Sequence, residues 1–253
     1  MPSQSLAFQM RVTLGLSRGW ANRCETWESA LRYLRGQSEE VGIMVMTNGI
    51  VGNNTHRPLR VEEFRGFTLV DKYAPIIFLN SADAKSAQMF TLLHEATHVW
   101  LGVGGISNSD ILAPSESKIE RFCDRVAAEF LVPEDEFLDA WDLEDDLLDE
   151  IRRLSRHFKV SPLVIARRAL DLGLLPSHEV HFIRTALYQG KAVAAGGGGD
   201  FYRTAATRLG ERFARLVFTA VHEGRLGFTE AYELTDLHGR AFSKFGKAKG
   251  LLP

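Results

Sequence analysis

Phe90-Thr91-Leu92-Leu93-His94-Glu95-Ala96-Thr97-His98-Val99-Trp100 is the stretch on which the reading of this chain turns. Its core is His-Glu-x-x-His. On an α-helix, residues four apart share a face, so His94 and His98 present two imidazoles to one point in space. That is half of a tetrahedral zinc site. Glu95, directly after the first histidine, is placed to act as the general base on metal-activated water, and a catalytic zinc takes a third protein ligand while leaving one position open. The surroundings favour a helix. Residues 86–101 contain no Gly or Pro, Phe90, Leu93, Thr97 and Leu101 recur at helical spacing, and Gly102 marks the end. The plain alternative is a helix whose histidines are only hydrogen-bonded.

The third ligand is sought in the next helix, expected over residues 114–131, with Ser115 as its cap and Glu116 in its first turn. Glu120 and Asp124 lie one turn apart there and share a face with Ala127, Ala128 and Leu131. Carboxylates on the apolar stripe of a helix need partners, because burying an unpaired charge is costly. A metal is the natural partner for Glu120. Asp124 then accepts the free ring N–H of a liganding histidine and fixes its tautomer. The small Ala127-Ala128 pair lets the two helices approach closely. Without the histidine motif upstream, Glu120 reads as a solvated residue beside Arg121.

At this point the chain resembles a known family. His-Glu-x-x-His followed on a second helix by Glu-x-x-x-Asp is similar to the gluzincin arrangement, and the fuller string resembles the ImmA/IrrE family of bacterial metallopeptidases. That family's pattern is close to F-S/T-x-x-H-E-x-x-H and then E-x-x-A-N-x-F-A-A-x-x-L-x-P. This chain matches the spacing from Phe90 to Pro133 and departs from it at Cys123, Asp124 and Val126, where the pattern has Ala, Asn and Phe. The motif-bearing resemblance covers roughly residues 40–175. It implies His94, His98 and Glu120 as zinc ligands and Glu95 as catalytic base. It further implies a regulatory endopeptidase that cleaves a specific repressor or antitoxin-like protein.

Composition sets the outer limits. The chain has 253 residues, 45% of them hydrophobic and 25% charged, enough for one large or two small cores. A net charge of -2 gives no electrostatic argument for nucleic acid or an anionic membrane as partner. Cys24 and Cys123 are far apart and match no metal spacing, which suits a reducing compartment. Residues 1–20 do not read as a signal peptide, and no apolar run approaches membrane-spanning length. A cytoplasmic protein without membrane contact is expected.

Upstream of the motif, an amphipathic helix is expected over residues 26–35, and strands over 41–47, 64–70 and 74–79, with a polar Gly/Asn-rich loop around 52–55. The expected fold class is α+β, a zincin-like small antiparallel sheet with the His-Glu-x-x-His helix, followed by a mostly helical C-terminal part. Residues 102–113 read as a loop connecting the two site helices.

Beyond Pro133 the pattern is helical. Acids lead and bases trail from Asp145 to Phe158, matching the helix dipole. Residues 147–170 have the outline of a helix-turn-helix with Ser161 as cap of its second helix. Pro162, Leu163, Val164 and Ile165 sit where a DNA reader needs polar side chains, so packing is favoured over DNA binding. His178 and His181 fit no peptidase motif and read as surface or structural residues. The Gly196–Gly199 run lacks a following Lys-Ser/Thr and reads as a linker, with a long amphipathic helix after it to about Glu223. Tyr202 and His222 are candidate oxyanion donors. The resulting division is a metallopeptidase domain over 1–135, a helix-turn-helix-like segment over 136–176 and a helical extension over 177–253. The alternative to a protease is a peptidase-fold regulator that binds protein or DNA.

Overall fold

The computed structural model describes residues 2–52, 54–103, 105–107, 117–142, 146–188 and 201–252. Along the chain run α1 (Ser3–Thr13), α2 (Trp27–Glu40), β1 (Met44–Asn48), β2 (Ile50–Val51), β3 (Asn54–Pro58), β4 (Gly66–Leu69) and β5 (Ile76–Asn80). Then come α3 (Lys85–Leu101), β6 (Gly105–Ser107), α4 (Lys118–Leu131), α5 (Glu134–Ala140), α6 (Leu147–Phe158), α7 (Pro162–Asp171) and α8 (Ser177–Tyr188). Helices α9 (Phe201–Leu209), α10 (Glu211–His222), α11 (Phe228–Thr235) and α12 (Arg240–Ala248) complete the chain. This is the expected α+β class with a helical C-terminal part.

The main sheet has four strands in the order β1-β5-β4-β6. β4 is antiparallel to both neighbours, but β1 runs parallel to β5, with Met44 opposite Ile76, so the sheet is mixed rather than antiparallel. The connection explains the direction. Between β1 and β5 the chain makes the β2–β3 hairpin and β4, a crossover long enough to return in the same sense. That hairpin occupies the expected polar loop; β3 is exposed throughout, so no alternation of burial betrayed it. The expected connector after α3 likewise contributes β6, while residues 104 and 108–116 lie outside the described residues, as do Ser115 and Glu116. The observed cap of α4 is Ser117.

Helix α3 is the centre of the packing. Every residue from Gln88 to His98 is buried, because β4 and β5 cover one side while α2 and α4 cover the other. Its polar residues Gln88, Thr91, His94, Glu95, Thr97 and His98 are buried along with its apolar ones, and so need partners inside the protein. Its C-terminus is closed by Gly102 in the left-handed conformation, φ 69°. Helix α1, which carries only a weak pattern in the sequence, lies along α4 and buries Leu6, Ala7 and Met10. Its Arg11 reaches Glu136 at 2.6 Å in a mostly buried ion pair that fixes α1 to α5.

Helices α6 and α7 do form two helices joined by the three residues Lys159-Val160-Ser161, with Ser161 Oγ accepting the Val164 N–H at 3.3 Å. Val164, Ile165, Ala166 and Ala169 of α7 are buried, and Arg168 pairs with Glu129 of α4. The second helix is therefore packed chiefly against α6 and α8 and is tied to the site helix α4 by the Arg168–Glu129 pair.

The C-terminal helices have a core of their own around Phe218, Phe242 and Phe245. The single long helix expected after the glycine run is broken at Gly210, φ 77°. A Cβ there would lie 2.6 Å from the Val45 carbonyl oxygen and 2.5 Å from Glu39 Oε1, so only glycine permits this approach. Glu39 accepts the Glu211 N–H at 3.1 Å, placing a carboxylate at the N-terminus of α10. Arg35 donates to Val45 O at 3.1 Å and Thr207 O at 2.8 Å. Together these contacts seat the α9–α10 junction against the outer edge of β1. Residues 189–200, including the Gly196–Gly199 run, lie outside the described residues. No helix among the described residues is long and apolar enough to cross a membrane.

Candidate metal centre

The site is assembled by the α3–α4 crossing with β4 alongside. One turn of α3 brings His94 Nε2 and His98 Nε2 to 3.2 Å from each other. On α4, buried Ala127 leaves room for close approach, and Glu120 places Oε2 at 2.9 Å from His94 Nε2 and Oε1 at 3.4 Å from His98 Nε2. Zinc bonds to nitrogen and oxygen of about 2.0–2.1 Å give a tetrahedron with edges of roughly 3.3 Å. The three donor groups are already at such separations, so the donor set fits a divalent cation in both chemistry and spacing.

Asp124 Oδ1 lies 2.8 Å from His94 Nδ1. Burial works against a charged His94 ring, but the hydrogen bond and charge of Asp124, with Glu95 and Glu120 behind it, outweigh burial and raise its pKa. Doubly protonated, His94 donates to Asp124 through Nδ1 and to Glu120 through Nε2, so a proton stands where a metal cation would otherwise balance the carboxylates. With metal bound, Asp124 keeps the Nδ1 proton and orients the ring. Asp124→Ala is expected to weaken metal binding by roughly 10–100-fold, the usual cost of losing such a partner. Competition with a chromophoric chelator measures it, and an unchanged affinity would remove Asp124 from the site.

Glu95 is 0% exposed. Its Oε2 accepts a hydrogen bond from Thr68 Oγ1 at 2.7 Å, a contact that sequence reasoning missed. On β4, Gly66 and Thr68 are buried against α3 while Leu69 is 56% exposed, an inversion of the usual strand pattern. The inner face is polar because it must meet Glu95. Gly66 permits the contact. A Cβ at that position would lie 2.6 Å from Thr91 Cγ2, 2.8 Å from Phe78 O and 3.6 Å from Glu95 Cγ. Gly66→Ala is thus expected to push β4 from α3 and cost about 1–3 kcal/mol of stability, measured by urea unfolding. A wild-type midpoint would show that the strand yields without strain.

Cys123 was expected to match no metal site, and here the structure differs. Its sulfur and a ring nitrogen of each histidine lie within 4.8 Å of one another, and the residue is fully buried. Burial, then the charges of Glu120, Asp124 and Glu95, push the thiol up to about 12. The signal available was its spacing, three residues after Glu120 on the same helical face. His178 and His181 are exposed on α8, away from any assigned role, and His222 is exposed on α10. The Tyr202 side chain lies outside the described residues. A cleft of about 460 Å³ between α1, α4 and α7 meets the site only through Asp124; neither histidine lines it.

The profile of the Peptidase_M78 family, the IrrE N-terminal-like domain, matches residues 38–170, more than half of the chain. The chain belongs to the Peptidase_M78 family. The matched span runs from the end of α2 through α7 and so contains His94, Glu95, His98, Glu120 and Asp124. The resemblance read from the motif is therefore correct at the level of the family, which is one of metallopeptidases. In this Peptidase_M78 chain a second profile, a domain of unknown function (DUF8813), matches residues 209–248, from the last residue of α9 to the end of α12. No curated protein matches the chain.

Proposed function

We propose that the protein is a zinc-dependent endopeptidase of the cytoplasm that cleaves a specific regulatory protein of repressor or antitoxin type. One observation carries the reading. His94, His98 and Glu120 converge from two helices at zinc-ligand separations, with the Glu95 carboxylate buried beside them.

His94, His98 and Glu120 would hold the zinc, which when bound would supply Lewis acidity for a scissile carbonyl and for water. Glu95 takes the proton from the attacking water and later delivers it to the leaving amine. Thr68 holds one oxygen of that carboxylate and so fixes its orientation. Asp124 would keep the His94 ring protonated at Nδ1, which would leave Nε2 available to a metal. Substrate binds as an extended strand on the β4–β6 side of the sheet, the side that brings Thr68 to Glu95, using main-chain hydrogen bonds.

The packed state of α7 favours a structural role for the helix-turn-helix-like pair over DNA reading. The test is to profile newly formed protein N-termini in cells that express the wild type or Glu95→Gln. A small set of cleavages present only with the wild type is expected. Identical profiles would remove the endopeptidase assignment, and wholesale degradation would remove the specific substrate.

A further inference from the structure

We propose that Cys123 is itself a metal ligand, its thiolate joining His94, His98 and Glu120 to make a closed, latent coordination shell. The inference rests on the zinc site proposed above and deepens it by adding a control on that site.

Position is the first argument. A buried free cysteine commonly acts as a small apolar filler whose sulfur points wherever packing allows. Cys123 is fully buried, yet its sulfur falls with the ring nitrogens of His94 and His98 in one cluster no wider than 4.8 Å. It stands on α4 between Glu120 and Asp124, the two residues that already address those rings. Glu120 and Cys123 thus address the two histidines from the same helical turn, while Asp124 holds the opposite nitrogen of the His94 ring.

His98 points the same way. It is 1% exposed, and its Nδ1 is buried without a hydrogen-bond partner among the described residues. Its Nε2 faces the Nε2 of His94 at 3.2 Å, and the two ring nitrogens share space that a cation satisfies better than either ring satisfies the other. A thiolate is a stronger donor to zinc than a carboxylate and suits a dry, enclosed position.

Four protein donors have a functional consequence. Zinc sites that lack an open position are structural, whereas catalytic ones keep a place for water. On metal entry the Cys123 S–H bond breaks, the proton passes to solvent and the sulfur–metal bond forms. Hydrolysis then requires the sulfur to leave the metal so that water or substrate can take its place. Cys123 would act as a latch, holding the enzyme inactive until its side chain turns away from the metal while Glu120 stays in place.

X-ray absorption at the zinc edge tests this on the zinc-loaded full chain. The expected spectrum of the wild type contains one sulfur scatterer at about 2.3 Å beside nitrogen and oxygen at about 2.0 Å. Cys123→Ala is expected to retain zinc and lose the sulfur shell. A wild-type spectrum with nitrogen and oxygen alone would overturn the latch while leaving the three-ligand peptidase site standing. A wild type that takes up no zinc would overturn both. The wild-type spectrum decides the matter even if the variant fails to fold.

Discussion

Glu95→Gln is expected to lower peptide-bond hydrolysis by on the order of 10²–10⁴-fold, the typical contribution of a positioned acid–base group, without loss of metal. The side chain is 0% exposed, and glutamine occupies the same volume, so the α3–β4 packing survives. The amide oxygen can still accept the Thr68 hydroxyl at the position where Oε2 now stands. What disappears is the ability to take a proton from water and return it to the amine. Turnover of an identified substrate, measured beside zinc content, separates these effects. Hydrolysis at the wild-type rate in a zinc-loaded variant would assign the base elsewhere. An unchanged cellular function with no hydrolysis in either protein would favour a regulator that uses the peptidase fold for binding.

His94→Ala and Glu120→Ala are each expected to weaken zinc binding by more than about 100-fold, beyond the range for losing an orienting partner, and to abolish hydrolysis. Removing either residue takes away a donor that lies at zinc-ligand separation from the others. The pH dependence follows from His94. In the metal-free protein its pKa lies above the ordinary histidine value of about 6.5, so protons compete with metal at higher pH than at an ordinary histidine. Zinc affinity should therefore fall as pH drops through that raised value. The metal-free protein should behave in the opposite sense. A group whose pKa is raised on folding contributes stability that is full below its unfolded value and lost as pH rises through its folded value. Unfolding midpoints of the metal-free chain should accordingly decline on raising the pH above about 6.5, and those of the zinc-loaded chain should not. A pH-independent metal affinity over this range would show that His94 is not a ligand.

The parts of this account that were legible in the sequence are those fixed by local geometry. Two histidines four apart on one helix need no tertiary information to meet. Glu120 and Asp124 were legible at one remove, since carboxylates on an apolar face demand partners. Thr68 and Gly66 were not, because strand reasoning assumes an apolar inner face and β4 has a polar one. Cys123 was legible as a departure from the family pattern but not as a donor, since no local spacing links it to histidines on a different helix.

Long-range contacts account for the remaining differences. The parallel pairing of β1 with β5 depends on where a hairpin and β4 fit between them, which no local pattern encodes. The break at Gly210 interrupts an otherwise continuous amphipathic run because Val45 and Glu39, far away in the chain, come within contact of that backbone. Strand β6 is three residues long and pairs only because β4 offers it an edge. Helix α1 carries a weak pattern of its own and gains its place by lying along α4.

The most direct measurement is the zinc content of the purified, folded wild type after reconstitution and removal of excess metal. Near one zinc per chain is predicted, held tightly enough to survive dialysis. A folded chain that takes up no zinc would contradict the account, since the convergence of His94, His98 and Glu120 would then serve hydrogen bonding alone.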